Sequence, residues 1–478
     1  MPTIPIKPFF LDGCLVARAL TEPVFNPWSG KKIAEVCMAQ ETDVETALAA
    51  AQKAFFTTRK GSARERALIL EKITALLEAR RSKFVDVIVA EAGKPVVLAE
   101  AEVERAVATF RLAAALALSD GGHGITMDAT APGEKHFGYV CRFPVGVILG
   151  ITPFNFPLNL VAHKIAPCLA TGNTMLLKPS LKTPLTALLL AEVLHEAGVP
   201  LGQISILPFD HSFVGQLLAD ARVKMLSFTG SVDVGWRLKA EAARMKVALE
   251  LGGNAAVVVE ANSNWKEAVP LVAAAAFGFA GQSCVSVQRI LVERDIFVPF
   301  RDMLITHIRE NVGTGDPACR NTLVGPMIDA NARRRILEWI NEATCAGAKL
   351  LTPLSCEGLA LLAPVLLEDV PAGCAVLEGE AFAPVAALQS YGTFDEALEM
   401  VNASSFGLQA GVFTNDITKA LRAHEEIEAG GVMVNQVPTF RVENMPYGGV
   451  KLSGTGREGV RYAMEEMSEP RSLVIKRG

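Results

Sequence analysis

The chain has 478 residues and no Cys-x-x-Cys pair. Its nine cysteines are an odd number and stand singly. That pattern argues against a disulfide framework and a structural metal, and for reduced thiols in a cytosol. No uncharged apolar run approaches the ~18 residues that a membrane-crossing helix needs, so no span is expected. There is no long run of Lys and Arg, and the net charge is −5. Both facts argue against nucleic acid as a partner. Met1-Pro-Thr-Ile-Pro-Ile6 lacks a basic region and a long apolar region, so a cytoplasmic protein without a signal peptide is expected. Internal repeats and low-complexity segments are absent as well.

What is present is enough chain for two or three domains and a large core. Mean hydropathy is +0.30. The excess lies in Ala, Val and Leu, which suits a buried sheet wrapped by helices. Residues 8–38 read as a hairpin, with turn chemistry at Phe9-Phe-Leu-Asp-Gly13 and Phe25-Asn-Pro-Trp-Ser-Gly30. Residues 42–118 read as helices, opened by a capping box at Thr42-Asp-Val-Glu45 and broken at Gly93-Lys-Pro95. Residues 120–145 lose helical periodicity.

From Gly146 strand and helix alternate. Strands are expected at 147–151, 174–178, 204–207 and 225–228, with helices after Pro157 and over 184–196. Such right-handed alternation builds a doubly wound parallel sheet, the usual home of a dinucleotide. This region carries no Gly-x-Gly-x-x-Gly. Phe228-Thr-Gly-Ser-Val-Asp-Val-Gly235 stands between a strand and a helix instead. Gly230 admits close backbone approach, and Ser231 with the following helix N-terminus suits a pyrophosphate. After Gly252 a second α/β unit runs to about residue 440. Gly325-Pro-Met-Ile328 and the stretch 352–374 read as surface connections.

Two stretches carry chemistry. Gly281-Gln282-Ser283-Cys284 is a polar step between 273–280, read as a buried helix, and 287–293, read as a strand. A cysteine there is held firmly and can face a cleft, although a lone cysteine is more often a small core residue. Glu250-Leu-Gly-Gly-Asn254 follows a short apolar strand. Its two glycines let the backbone turn sharply, so the carboxylate can sit at a strand end beside a cleft. A lone Glu there would read as a solvated turn acid. Together the two suit a thiolate that attacks a carbonyl and a carboxylate that then activates water.

Glu250-Leu-Gly-Gly-Asn254 followed by Gly281-Gln-x-Cys284 resembles the aldehyde dehydrogenase superfamily. Thr152-Pro-Phe-Asn-Phe-Pro157, Leu177-Lys-Pro-Ser180, Ser227-Phe-Thr-Gly-Ser231 and Glu380-Ala-Phe-Ala-Pro384 agree with it in order. So does Pro446-Tyr-Gly-Gly-Val-Lys451 with Ser453-Gly-Thr-Gly-Arg-Glu458. Together these stretches span nearly the whole chain. The resemblance implies an α/β fold of two doubly wound parallel-sheet domains. One is a Rossmann-like cofactor domain (1–122 and 145–252), the other a catalytic domain (253–462). A small β oligomerisation extension (123–144 and 463–478) implies a homodimer or homotetramer, and a strand at 472–476 could join it.

The activity so implied is NAD- or NADP-dependent oxidation of an aldehyde through a cysteine thiohemiacetal and thioester. Cys284 would be the nucleophile and Glu250 the base that activates water. The Asn155 side-chain amide and the Cys284 backbone N–H would hold the oxyanion. Lys178 matches the lysine at the adenosine ribose and Glu380 the residue at the nicotinamide ribose, with Phe382 an apolar contact beside it. Ile151, Thr152, Pro153, Phe154, Ser180, Gly215, Phe228, Gly230, Ser231 and Leu251 complete the implied cofactor contacts. Many NAD-preferring relatives carry a Glu three residues after the lysine. Here Leu181 stands there, followed by Lys182, so NADP is admitted. Leu207-Pro-Phe-Asp210 replaces a Gly-rich turn beside the adenosine.

Substrate-facing positions are expected in 156–163, at Ser283 and Val285, and in 436–444. Leu160, His163 and Gly278 make the pocket less aromatic than in relatives that take alkyl or aryl aldehydes. His163, Arg441 and the helical Arg105 are the substrate candidates. Guanidinium suits a carboxylate, phosphonate or phosphate, although Arg441 could equally hold its loop by an internal salt bridge and Arg105 could face solvent. The pattern lies nearest the lactaldehyde and phosphonoacetaldehyde dehydrogenase branch, which points to a short, polar aldehyde. A CoA-acylating semialdehyde dehydrogenase is the alternative, and Glu250 speaks against it. An inactive structural or binding member is a further alternative, and the presence of Cys284, Glu250 and Asn155 speaks against that. A catalytic Cys284 is expected to have a lowered pKa and to label before the other cysteines.

Overall fold

The computed structural model describes residues 4–119 and 121–478. Part of the opening segment and the first residue of the 120–145 stretch lie outside it.

The first sheet has eight strands, ordered Gly454–Thr455, Lys246–Glu250, Val223–Thr229, Val147–Ile151, Thr174–Lys178, Ile204–Ile206, Phe9–Leu11 and Cys14–Val16. The five inner strands from Lys246–Glu250 to Ile204–Ile206 are parallel. Val147–Ile151 and Thr174–Lys178 are buried along their whole length, which is why Val147–Ile151 and Met175–Leu177 read as apolar runs. The chain fills this sheet to one side of Val147–Ile151 and then to the other. The order therefore reverses between Val147–Ile151 and Val223–Thr229, and a crevice opens past their carboxyl ends.

The second sheet has seven strands, ordered Lys349–Leu350, Val365–Glu368, Val385–Tyr391, Val287–Glu293, Ala255–Val259, Gln409–Phe413 and Gly431–Val434. All but the first run parallel. Each sheet has its own apolar core. One gathers residues from Phe9 to Leu251 and then takes in Val460, Met464 and Met467; the other runs from Val257 to Val437. A third sheet is small and antiparallel. Ser468–Lys476 pairs with His136–Pro144, which pairs in turn with His123–Ile125.

Some local expectations shift. The first long helix is Glu41–Thr58, with its N-cap at Gln40. The Asp43 carboxylate accepts from the Gln40 backbone N–H at 3.0 Å, so the box sits two residues before the Thr42 expected from sequence. The buried helix expected over 273–280 is Trp265–Phe277 and stops at Gly278. Both proposed surface connections carry buried structure. Residues 325–328 are buried, and Val365–Glu368 is an interior strand with all four residues buried. The three-residue apolar run Val365-Leu-Leu367 between Pro364 and Pro371 is too short to show strand periodicity. Among the described residues no helix is long and apolar enough to cross a membrane.

Candidate active site

A cavity of about 680 Å³ lies at the crevice, walled by residues of both cores. Cys284, Glu250 and Asn155 all line it.

The turn before Cys284 is strained. Phe279 (φ 52°) and Ala280 (φ 53°) sit in the left-handed region that a Cβ disfavours. Gly281 (φ 66°) passes so near the Ala383 carbonyl oxygen that a Cβ would stand 2.0 Å from it. Gln282 locks the turn, its amide donating to the Phe279 carbonyl at 3.3 Å and its side-chain oxygen accepting from the Ile328 N–H at 2.8 Å. The nucleophile candidate packs with Val285, Leu408 and Tyr447. Its sulfur lies 2.9 Å from the Tyr447 hydroxyl.

Burial pushes the Cys284 thiol up to about 12, against the Tyr447 hydrogen bond and with the Glu380 and Glu250 charges adding to the rise. The lowered pKa expected from sequence is not what this site has. The Arg441 charge offsets only part of the effect. Brief iodoacetamide pulses at neutral pH, read peptide by peptide by mass spectrometry, are therefore expected to label exposed Cys14, Cys319, Cys345 and Cys356 first. The Cys284 rate should keep climbing with pH beyond the ordinary thiol range, because its thiolate fraction is still growing there. Preferential labelling of Cys284 at neutral pH would contradict this.

Asn155 reaches the same place from the first sheet. Its loop follows Val147–Ile151 and enters helix Asn159–Thr171. The Glu102 carboxylate accepts the backbone N–H groups of Leu158 (2.9 Å) and Asn159 (3.1 Å), satisfying donors that the helix start leaves free. Lys94 pairs with Glu102 and stands 3.7 Å above the Phe156 ring and 4.5 Å from that of Phe279. The Asn155 Nδ2 then donates to the Gln282 carbonyl at 3.0 Å, which places an amide beside the chain that carries Cys284.

Glu250 ends its strand, and close approach explains the two glycines that follow. Neither has positive φ, so the sharp turn expected of them is not their role. A Cβ on Gly252 would stand 2.3 Å from Glu380 Oε2, and one on Gly253 2.2 Å from the Cys284 carbonyl oxygen. The Gly253 N–H donates to Glu380 Oε1 at 3.1 Å, and Asn254 Nδ2 donates to the Gly379 carbonyl at 2.9 Å. One short segment thus fixes Glu250, Glu380 and the backbone of Cys284 together.

Both Glu250 oxygens are buried and, among the described residues, lack a hydrogen-bond partner. Burial and the Glu458 charge hold its carboxyl well above the usual range. Glu458 moves oppositely. Burial alone would raise it, but Lys164, His163 and Arg441 together pull it down. Lys164 Nζ donates to Ser227 Oγ at 3.0 Å and reaches Glu458 at 3.4 Å.

Of the implied cofactor residues, Pro153, Phe154, Gly230, Ser231 and Leu251 line the cavity, as do Glu380 and Phe382. Phe154 and Phe382 meet edge to face at 5.8 Å. Gly230 and Ser231 stand at the start of helix Val232–Glu241. Ile151, Thr152 and Phe228 are buried in or next to their strands and do not reach the cavity wall. Lys178, Ser180 and Gly215 also lie outside that wall, at a strand end, in the turn after it and on helix Phe213–Ala219. Burial brings the Lys178 ammonium down to about 8 against the pull of Asp210. Lys182 is tied to Asp329. Burial lifts Glu380 to about 7.

Arg441 and Arg105 line the cavity; His163 does not. His163 is buried behind Arg441, with Nε2 facing the Glu443 carboxylate and 3.3 Å from the guanidinium. Arg105 donates to the other oxygen of Glu443. Arg441 is 3.4 Å from Glu458 and lies 3.7 Å over the Tyr447 ring. It is thus both an internal ion-pair member and a wall of the cavity. Sequence reasoning passed over Tyr447, Glu458, Lys94 and Glu102. Tyr447, Glu458 and Lys94 sit inside stretches already singled out, beside Gly448, Gly459 and Gly93.

A thiol, an amide and a carboxyl meet at the switch point of a doubly wound sheet, the crevice where α/β enzymes of this class bind their ligands. The model of the aldehyde dehydrogenase family matches residues 16–473, and the chain belongs to that family. It is 40% identical over 467 residues to the 3-sulfolactaldehyde dehydrogenase of Priestia aryabhattai, covering 98% of this chain and 97% of the relative. Aldehyde dehydrogenase 21 of Physcomitrella patens, solved in complex with the reaction product succinate, superposes with a TM-score of 0.96 at 37% identity over 99% of both chains. The glyceraldehyde-3-phosphate dehydrogenase of Methanocaldococcus jannaschii DSM 2661, complexed with NADP, gives 0.91 at 35% identity over 96% of this chain and 100% of its own.

Proposed function

We propose that this protein oxidises a short aldehyde bearing an anionic group to the carboxylate, with NAD or NADP as acceptor and water rather than CoA as the final nucleophile. The observation that carries this reading is one cavity walled by Cys284, Asn155 and Glu250 together with the guanidinium groups of Arg105 and Arg441. The names of the three relatives carry a sulfonate, a succinate product and a phosphate. An arginine pair serves all three chemistries.

The Cys284 sulfur adds to the aldehyde carbon and makes it tetrahedral, which a hydride can then leave. The Asn155 amide and the Cys284 N–H stabilise the oxygen that becomes negative. A bound nicotinamide supplies the hydride acceptor. Gly230 and Ser231 at a helix N-terminus fit its pyrophosphate, and Glu380, oriented by Gly253 N–H, fits a ribose. Leu181 offers no carboxylate to repel a 2′-phosphate, which supports use of NADP as well as NAD. Glu250 takes the proton from the water that hydrolyses the thioester.

The two cores support assigning the cofactor to 1–122 with 145–252 and most of 253–462 to the nucleophile, with Gly454–Thr455 and Val460 joining the first sheet and its core. The strands Ser468–Lys476 and His136–Pro144, with Leu473, Val474 and Ile475 about half exposed, support a homodimer or homotetramer built through the residue 123–144 and 463–478 extension.

Initial rates with succinic semialdehyde, phosphonoacetaldehyde, lactaldehyde and propanal, each with NAD and NADP, test the reading. Reduction without CoA and a preference for the anionic aldehydes over propanal are expected. In Arg105→Met that preference should fall by about tenfold to a hundredfold, since hydrogen bonds to charged groups contribute ~1.5–3 kcal/mol. Turnover only after CoA is added would replace hydrolysis by acyl transfer. An unchanged preference in the variant would remove Arg105 from the substrate site.

A further inference from the structure

We propose that the Tyr447 hydroxyl determines specificity by reading a hydroxyl on C2 of the aldehyde, so that the site selects short 2-hydroxy aldehydes. This rests on the dehydrogenase reading above. The phenol is almost fully buried, at 4% exposure. Its ring is fixed by Val285 and Leu408 on its own cluster and by the Arg441 guanidinium, 3.7 Å over its face. Its oxygen is 2.9 Å from the Cys284 sulfur. No other hydrogen bond to that oxygen is formed among the described residues.

That pairing belongs to the resting site. Once sulfur is bonded to C1 of the substrate it has no proton to give and is a weak acceptor. The buried phenol then needs a new partner. C2 is the next atom along the substrate, so its substituent is the group that comes within reach of an oxygen already at hydrogen-bond distance from sulfur. The C1 oxygen is held from elsewhere, by the Asn155 amide beside Gln282. A C2 hydroxyl restores the lost hydrogen bond; a C2 methylene leaves the phenol unpaired in a dry site. Sites built to hydrogen-bond a substrate hydroxyl reject analogues that lack it, because their own polar group is stranded. The guanidinium stacked on the same ring also lines the cavity, and it would meet an anionic tail. Hydroxyl and anion are thus read by neighbouring groups of one loop.

Lactaldehyde and propanal differ only in the C2 hydroxyl, and kcat/KM for each, in the wild type and in Tyr447→Phe, tests the proposal. Phe keeps the ring under Arg441 and removes only the oxygen. The wild type is expected to favour lactaldehyde by about tenfold to a hundredfold, and the variant to lose most of that ratio. An equal fall on both aldehydes would leave the ratio intact and overturn the proposal, making Tyr447 a partner of the thiol alone. So would a wild type that takes the two equally well. A wild type that oxidises propanal and succinic semialdehyde but shows no hydroxyl preference keeps the dehydrogenase reading. Failure to reduce either cofactor with any aldehyde would bring down both.

Discussion

Cys284→Ala is expected to lower aldehyde-dependent reduction of NAD or NADP by at least about 10⁴-fold, with cofactor binding retained. Loss of the residue that bonds to substrate leaves only what positioning and oxyanion donors can do. The substitution takes one sulfur from a small cluster with Val285, Leu408 and Tyr447 and breaks no ion pair, so the fold should persist. Initial rates, alongside tryptophan quenching on titration with the cofactor, separate the two effects. Near-wild-type turnover would mean that the thiol at the centre of the cavity is not the nucleophile.

Glu250→Gln should act later in the cycle. The first turnover needs no water, so each site is expected to reduce about one cofactor quickly and then stall. Steady-state kcat should fall about 10²–10⁴-fold, the usual range for a positioned base. The pH dependence follows from the raised carboxyl. A base must be ionised to accept a proton. Burial and the Glu458 charge keep Glu250 protonated to well above the ordinary carboxylate range, so hydrolysis in the wild type should accelerate as pH rises through that elevated value. The Gln variant should lose this dependence. Stopped-flow absorbance of the reduced cofactor across pH reads both, and a variant with no burst and an unaltered steady state would exclude the role.

Strands buried on both faces were plain in the sequence where Val147–Ile151, Met175–Leu177 and Ile290–Val292 form apolar runs. Val365–Glu368 was not, being four residues among prolines. The strand at 472–476 was visible, but pairing with His136–Pro144 begins at Ser468, where Glu469 and Pro470 hide the pattern. At the site, the order of the motifs pointed to Cys284, Glu250 and Asn155, and the cavity brings all three together. What no local pattern could carry is contact across long separations. Glu102 caps a helix 56 residues away, and Tyr447 meets a thiol 163 residues away. The protonation of the thiol has the same origin, since it depends on burial that only the closed fold creates.

The first sheet is edged by Gly454–Thr455, and the core beneath it takes in Val460, Met464 and Met467. Asn173 donates across to the Met467 carbonyl at 2.8 Å. The amino-terminal half of the polypeptide therefore cannot complete its own packing as it leaves the ribosome. It must wait, with an uncovered sheet edge and open apolar surface, until more than two hundred further residues have been made and the late segments emerge to close it. Synthesis of this chain thus ends by closing the core with which it began.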